Sequence, residues 1–176
     1  MNNVFFYTNH QKVLKCLVEN NKEALTAQTI QSLTKISKAG VYLALRNLIS
    51  SHLVSSHRNG QILYKANIDH PIVKQFKIFN TVFNLFPIIK KLSLLADKII
   101  LFGSVSRGED LPDSDVDLFI ISRNKEELNK LIASLNKKIK VIIKNHTESQ
   151  DFSRKEPAFY AEISKGIVLF EKNDEY

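Results

Sequence analysis

The sequence predicts an α/β (α+β) protein of two domains joined by a helix, and three observations support this. Three short helical segments followed by two extended runs fill residues 1–68. A long segment with apolar residues at helical spacing fills residues 69–96. From residue 97 to residue 176, apolar strands alternate with helical stretches, which is typical of a mixed sheet with flanking helices.

Charge is distributed unevenly along the 176 residues, which carry a net charge of +7. Residues 1–97 contain 12 basic and 4 acidic side chains, whereas residues 98–176 contain 13 and 14. A basic first half suggests that a polyanion such as DNA binds there. The alternative, that lysines only solubilise the surface, does not predict the asymmetry.

The sequence also favours the reducing cytoplasm and gives no sign of a membrane partner. No apolar run approaches the roughly 18 residues that a spanning helix needs. The first residues lack a basic stretch and a small-residue cleavage site, and the single Cys16 has no internal disulfide partner. The five histidines have no metal-ligand spacing, and a G-x-x-x-x-G-K phosphate loop is absent.

Residues 10–50 read as three helices. Residues 10–20 have apolar side chains at helical spacing, and Thr26 and Ser37 are predicted N-caps of the second and third helices. The third helix has one apolar stripe at positions i, i+4, i+7 and i+8, which are Val41, Leu45, Leu48 and Ile49.

Asn59-Gly60 lies between two short extended runs and predicts a hairpin with a type I′ turn, with Arg58 at its tip. Three helices and a hairpin resemble the winged helix-turn-helix of many small bacterial and archaeal DNA-binding regulators, over residues 8–67. The resemblance implies that the third helix enters the major groove of double-stranded DNA, and that Arg58 contacts phosphate or the minor groove. The residues of the third helix expected to face DNA are Lys38, Tyr42, Arg46 and Asn47. The same fold also serves protein contacts or dimerisation, but the positive charge favours DNA.

The connecting segment is predicted to be a helix that begins at Pro71 and is interrupted at Pro87. Its apolar residues recur at alternating intervals of four and three, as in a coiled-coil seam; they are Ile72, Phe76, Phe79, Phe83 and Phe86. Two readings stay open, a homodimer interface and docking against the chain's own domains. A second stripe then leads to the first strand of the next domain, through Ile88, Ile89, Leu92 and Leu95.

The stretch from residue 101 to residue 121 carries the chemistry, and reads LFGSVSRGEDLPDSDVDLFII. A buried strand ends at Gly103-Ser104, and a polar turn and an acidic loop lead to a second strand. On that strand Asp115 and Asp117 are two residues apart, so their carboxylates project to one face. Paired carboxylates beside a small-residue turn suit a hard divalent cation and a phosphate.

This spacing resembles the DNA-polymerase-β-like nucleotidyltransferase superfamily, in particular its minimal nucleotidyltransferase branch. The matching residues are Gly103, Ser104, Arg107, Gly108, Asp113, Ser114, Asp115, Asp117 and Leu118. The resemblance implies that Asp115 and Asp117 coordinate Mg²⁺ (or Mn²⁺) bridging the triphosphate of an NTP, and that Gly103 and Ser104 hold its terminal phosphates. For Arg107 two roles stay open, neutralising phosphate or pinning the acidic loop. Asp113 and Ser114 are expected to shape that loop.

The elements after residue 121 complete a small α/β arrangement but lack one expected acid. A helix over 124–135, a strand over 138–143, a helical segment over 148–164 broken at Pro157 and a strand over 167–170 are predicted. Members of the superfamily that transfer a nucleotide usually carry a third carboxylate on the strand after the first helix, which completes a two-metal cluster. Here the candidate positions are Lys140 and Ile142.

Three explanations of the missing acid stay open. Asp115 and Asp117 alone bind one Mg²⁺, with Glu148 or Asp151 standing in for the third acid. Alternatively, Lys140 occupies the second-metal site as a fixed positive charge and supports slow transfer. In the third explanation the domain binds a nucleotide or protein and has lost transfer.

Two functions follow. The first is a DNA-binding protein whose second domain binds Mg-NTP and transfers a nucleoside monophosphate to an acceptor, which by resemblance to minimal-nucleotidyltransferase antitoxin systems includes a partner protein. The second is a transcriptional regulator whose second domain is degenerate and serves as a sensor or dimerisation module. The missing acid favours the second function, and the Gly-Ser turn with Asp115 and Asp117 favours the first.

Overall fold

The computed structural model describes residues 8–135 and 138–172. Within it the chain forms two compact units, which divide between Lys77 and Ile78. The division falls inside one long helix, and each unit has its own hydrophobic core. The domain limits expected from the sequence, 1–68, 69–96 and 97–176, stay a prediction.

The first unit contains three helices, a two-residue strand and a β-hairpin. The strand β1 precedes α2 and pairs antiparallel with β3, so the sheet order is β1-β3-β2. This order of helices and strands is the winged helix-turn-helix predicted for residues 8–67, which is confirmed. The elements are α1 (Asn9–Glu19), β1 (Leu25–Thr26), α2 (Ala27–Thr34), α3 (Lys38–Ser50), β2 (Val54–Asn59) and β3 (Gln61–Ala66).

Side-chain caps fix where these helices begin. Thr8 and Gln11 form a capping box at the start of α1. The hydroxyl of Thr26 accepts a hydrogen bond from the Thr29 N–H at 3.1 Å, and the Ser37 hydroxyl accepts one from the Gly40 N–H at 3.2 Å. Both N-caps predicted from the sequence are therefore confirmed.

The hairpin is confirmed, but its predicted turn type is wrong. A type I′ turn needs positive φ at both central residues. Gly60 has a φ of +69°, whereas the φ of Asn59 is not positive. Asn59 instead ends β2 and pairs with Gln61, so Gly60 alone makes the left-handed step.

The core of the first unit forms where α1 and α3 pack together. The predicted α3 stripe is buried at Val41, Leu45 and Leu48, and Ile49 packs against it partly buried. Val13 and Leu17 supply the facing side of α1. Burial of this stripe turns the opposite side of α3 to solvent.

Helix α4 runs without interruption over Pro71–Leu92, so the predicted break at Pro87 is wrong. A proline inside a helix removes one hydrogen bond and costs roughly 3 kcal/mol. Burial of Ile88, Ile89 and Leu92 just after it offsets that cost, since each fully buried side chain contributes roughly 1.5–3 kcal/mol. The predicted helix start at Pro71 and the second apolar stripe are confirmed.

The second unit is built on a four-stranded mixed sheet in the order β6-β5-β4-β7. Strand β4 pairs antiparallel with β5 and β7, and β5 pairs parallel with β6. The mixed sheet with flanking helices is thus as predicted. Its elements are β4 (Lys98–Phe102), α5 (Gly103–Ser106), β5 (Val116–Ile121), α6 (Lys125–Ala133), β6 (Ile139–Lys144), α7 (His146–Lys155), α8 (Pro157–Ser164) and β7 (Ile167–Glu171).

Each face of this sheet carries its own core. On one face Leu101, Leu118 and Ile120 pack with residues of α4 and α6. On the other face Phe119 packs with the aromatic side chains of α7 and α8, Phe152 and Tyr160. Because alternate residues of a strand share a face, Asp115 and Asp117 belong to the side that α7 and α8 cover.

Candidate functional site

The two aspartates lie where strand β5 begins, in the middle of the sheet. Asp117 pairs with Phe102 at the end of β4 on one side and with Lys140 near the start of β6 on the other. Asp115 comes directly before β5. A central strand held on both sides gives these carboxylates a rigid backbone.

Gly103 brings the turn after β4 directly against this strand. It has a φ of +75°, a conformation that L side chains rarely adopt. A Cβ atom at this position would lie 2.8 Å from Oδ2 of Asp117. Only glycine therefore allows the turn to approach the carboxylate so closely.

Ser104 follows in the one-turn helix α5, where the sequence predicted a simple polar turn. Its carbonyl accepts hydrogen bonds from the N–H groups of Arg107 at 3.1 Å and Glu109 at 3.0 Å. Its hydroxyl has no hydrogen-bond partner within residues 8–135 and 138–172. The hydroxyl, one residue after the glycine that approaches Asp117, is thus free to bind a ligand group.

Lys140 forms an ion pair with the first aspartate. Its Nζ lies 2.8 Å from Oδ2 of Asp115. The hydrogen bond and charge of Asp115, followed by the charge of Asp117, raise the pKa of Lys140, so its side-chain amine stays protonated. The position where the superfamily usually has an acid is therefore a cation bound to one carboxylate.

Asp117 differs from Asp115 because its carboxylate has no hydrogen bond or ion pair within the described residues. Partial burial raises its pKa above the ordinary value of an aspartate, Lys140 opposes this, and Asp115 and Glu162 add to it. A nearby cation stabilises the ionised form of a half-buried carboxylate that has a raised pKa and no hydrogen bond.

Arg107 points to the acidic loop and to helix α8. Its Nε donates to Glu109 at 2.9 Å, and its Nη1 lies 3.4 Å from Glu162. Of the two roles left open by the sequence, these contacts favour pinning of the loop. Ser114 also shapes this loop, because its hydroxyl accepts a hydrogen bond from the Leu111 N–H at 2.9 Å.

No third acid completes a metal cluster in the described part of the chain, where no group of three His, Cys, Asp or Glu side chains is placed to hold an ion. The suggestion that Glu148 or Asp151 stands in is therefore wrong. Glu148 caps α7 together with Asn145 and pairs with Lys125, at the opposite end of β6 from Lys140. Two carboxylates suit one divalent cation, whereas the ammonium of Lys140 cannot be a ligand of a second cation.

Helix α8 contributes two residues near the site that the sequence did not suggest. Glu162 reaches Arg107 and acts electrostatically on Asp117. Phe159 is partly exposed and packs edge-on against Phe102, the residue before Gly103, at 5.9 Å between ring centroids. No local pattern could reveal them, since the antiparallel pairing of β7 with β4 brings α8 back to the sheet from 45 or more residues away.

The predicted DNA-facing residues of α3, Lys38, Tyr42, Arg46 and Asn47, are all exposed. Lys38 and Tyr42 line a groove of about 390 Å³ together with Gln28 and Gln31 of α2. The side chain of Asn47 also bonds the His10 ring at 2.9 Å. Arg58 is exposed near the hairpin tip, in the pair Arg58–Ile62.

Of the helices in residues 8–135 and 138–172, none has the length and apolar character needed to span a bilayer.

Comparison with known proteins places the second unit in a family. The family model described as polymerase beta, nucleotidyltransferase, matches residues 88–175. No curated protein matches the chain.

Solved structures are similar only in part. ZitR of Lactococcus lactis, a zinc-responsive member of the MarR family, shares 22% identity over 52% of this chain and 64% of its own, with a TM-score of 0.38. A mutant of ZitR shares 20% identity over 53% of this chain and 64% of its own, with a TM-score of 0.39. A candidate nucleotidyltransferase from Sulfolobus solfataricus gives 13% identity over 59% of this chain and 89% of its own, with a TM-score of 0.38.

The chain thus spans less than two thirds of the length of the ZitR proteins, at 64%. The family match covers half of this chain and includes the Gly103-Ser104 turn, both aspartates and strand β6. This protein, a winged helix-turn-helix followed by that domain, belongs to the polymerase beta nucleotidyltransferase family.

Proposed function

We propose that the second unit binds an NTP with one divalent cation and transfers its nucleoside monophosphate to a hydroxyl of an acceptor. The observation that carries this proposal is the close approach of the Gly103 turn to Asp117, with a free serine hydroxyl at the next residue. Asp115 and Asp117 would hold Mg²⁺ or Mn²⁺. The cation would supply charge neutralisation for the triphosphate.

The reaction is a substitution at the α-phosphorus. The acceptor oxygen forms a bond to that phosphorus while the bond to the β-phosphate oxygen breaks, so pyrophosphate leaves. The acceptor hydroxyl loses its proton to solvent as the new phosphodiester bond forms. In this chain the backbone of Gly103 and the hydroxyl of Ser104 would bind the leaving phosphates, and Arg107 would keep the acidic loop in place.

A thermal-shift titration with each NTP tests the proposal. A ligand that binds only the native state raises the melting temperature. At a ligand concentration of 100 times the Kd, the free energy of unfolding increases by roughly 2.7 kcal/mol. We expect a shift that needs Mg²⁺ and that the Asp115→Asn/Asp117→Asn variant loses. Asp151→Asn, which removes an exposed carboxylate of α7, is the matched control and should keep it. Absence of a shift with every NTP would refute nucleotide binding.

We also propose that the first unit binds double-stranded DNA through α3. The exposed side chains at Lys38, Tyr42 and Arg46 are spaced by four and form one face, which suits insertion into the major groove. Gel shifts should weaken for Arg46→Ala and Lys38→Ala. Lys12→Ala removes the same charge from an exposed position of α1 and should leave DNA binding intact. Unchanged binding by the two α3 variants would refute this placement.

The second candidate function is a transcriptional regulator whose nucleotidyltransferase domain has lost transfer. The ion pair of Lys140 with Asp115 favours it, because a cation occupies one carboxylate that the reaction needs. DNA binding together with no Mg²⁺-dependent response to any NTP would establish this alternative. A Mg²⁺-dependent response followed by label transfer from α-³²P-NTP would exclude it.

The remaining partners are proposals of the same kind. Helix α4 exposes Ile72, Phe79 and Phe86 at intervals of seven, which supports a homodimer seam along this helix. A protein is the proposed acceptor by resemblance to minimal-nucleotidyltransferase antitoxin systems. Residence in the cytoplasm suits both the DNA and the NTP.

A further inference from the structure

We propose that Lys140 takes the place of the second divalent cation, so that the site holds one cation where its relatives hold two. This inference rests on the proposed function, because it concerns how the same site balances the charge of an NTP. It assigns Lys140 as a positioning and charge-balancing residue of the nucleotide site. Of the three explanations that the sequence left open, it selects the second.

Strand pairing fixes the position of residue 140. Strands β5 and β6 are parallel and in continuous register from Val116–Ile139 to Ile121–Lys144, with Asp117 opposite Lys140. Any side chain at 140 must therefore start beside the aspartates. The lysine uses this position to reach Asp115, with 2.8 Å between Nζ and Oδ2.

Charge decides what the site accepts. With a third carboxylate the cluster would have a charge of −3, which two divalent cations overcome. With a lysine there the cluster has a charge of −1, and one divalent cation already makes it positive. The Lys140 ammonium would also present a fixed positive charge and three N–H donors to the phosphates of the NTP.

The ammonium and a divalent cation compete for Asp115. Asp117 has no hydrogen bond within the described residues, so it is available as the first ligand, whereas Asp115 must share its oxygens with Lys140. The ion pair of Lys138 with Asp113 offers an instructive contrast. It spans 3.6 Å between Nζ and Oδ1, both side chains are 65% exposed, and it joins Asp113 of the acidic loop to the residue before β6.

Counting bound Mn²⁺ by electron paramagnetic resonance tests this without measuring activity. The wild-type chain should bind one Mn²⁺. Lys140→Met should bind one Mn²⁺ roughly tenfold more tightly, the size expected when a unit positive charge a few ångström from a divalent ion is removed in water. Lys140→Asp, in the presence of a non-hydrolysable NTP analogue, should bind two.

Lys138→Met is the matched control, since it removes a lysine two residues away and should bind Mn²⁺ like the wild type. Lys140 is 72% exposed, so its variants should fold, which circular dichroism checks. Two ions in the wild type, a Lys140→Met chain that binds Mn²⁺ no more tightly than the wild type, or a Lys140→Asp chain that binds only one ion would overturn this inference alone. If no variant bound Mn²⁺, both this inference and the proposed function would fall.

Discussion

The substitution Gly103→Ala tests the geometry of the site, because it perturbs both the backbone and Asp117. Gly103 has a φ of +75°, and an alanine there costs roughly 1–2 kcal/mol in the left-handed region. Alanine also lowers the entropy of the unfolded chain, which returns roughly 0.4–1 kcal/mol. The backbone alone therefore predicts a net loss of about 1 kcal/mol, which lowers Tm by roughly 4–8 °C for a unit of this size.

The new methyl group adds a second effect. Its Cβ would lie 2.8 Å from Oδ2 of Asp117, inside van der Waals contact, so the carboxylate must move away from the turn. We therefore expect Gly103→Ala to abolish the Mg²⁺-dependent thermal shift with NTP. This loss should exceed what the lower stability explains, because the unit remains folded at 25 °C.

Gly60→Ala provides the control for this experiment. Gly60 has a φ of +69°, but a Cβ there meets nothing within 4 Å. It carries the same backbone penalty without a contact, and its hairpin lies in the other unit. We expect a comparable loss of stability in that unit and an unchanged nucleotide response. A Gly103→Ala chain that responds to Mg-NTP like the Gly60→Ala chain would refute the proposed contact.

Three other measurements address the pKa of Asp117, the burial of Cys16 and the exposed row of α4. Burial raises the pKa of Asp117, so ionisation of this carboxylate destabilises the folded state once the pH exceeds the ordinary pKa of an aspartate. Asp117→Asn should therefore raise the Tm at pH 7, and in scanning calorimetry the gain should vanish as the pH falls to that ordinary pKa. Burial, followed by the charge of Glu19, raises the pKa of the buried Cys16 thiol to about 11, so the folded chain should react with Ellman's reagent only after denaturation. Sedimentation should show a dimer that Phe79→Ser/Phe86→Ser converts to a monomer, and a wild-type monomer at micromolar concentration would contradict the seam.

Local patterns predicted those features that depend on a few neighbouring residues. The caps at Thr26 and Ser37 and the start of α4 at Pro71 follow from side chains within three positions of the helix ends, and the structure has them. The α3 stripe was equally visible, because helical period alone selects the buried face. The Gly103 turn and the two aspartates could be located because they lie within 15 residues of one another.

Features that depend on distant partners were missed or wrong. Strand β1 exists only because Leu25 and Thr26 pair with β3, some 40 residues later. Pro87 breaks helices in isolation, but here the burial of its neighbours outweighs the local cost. The proximity of Glu162 to Asp117 depends on how β7 returns to the sheet.

Position 140 shows why fold and chemistry separate in this domain. Parallel pairing with β5 places residue 140 beside Asp117 whatever its type, so the strand pattern predicts the location of the site. The side chain there is largely exposed, and exchanges at exposed positions usually change stability by less than about 0.5 kcal/mol. An acid can therefore be replaced by a lysine without loss of the domain, although the charge of the cluster changes by two. The family fold predicts where an NTP would bind, and we expect the number of cations bound with it to depend on this one side chain.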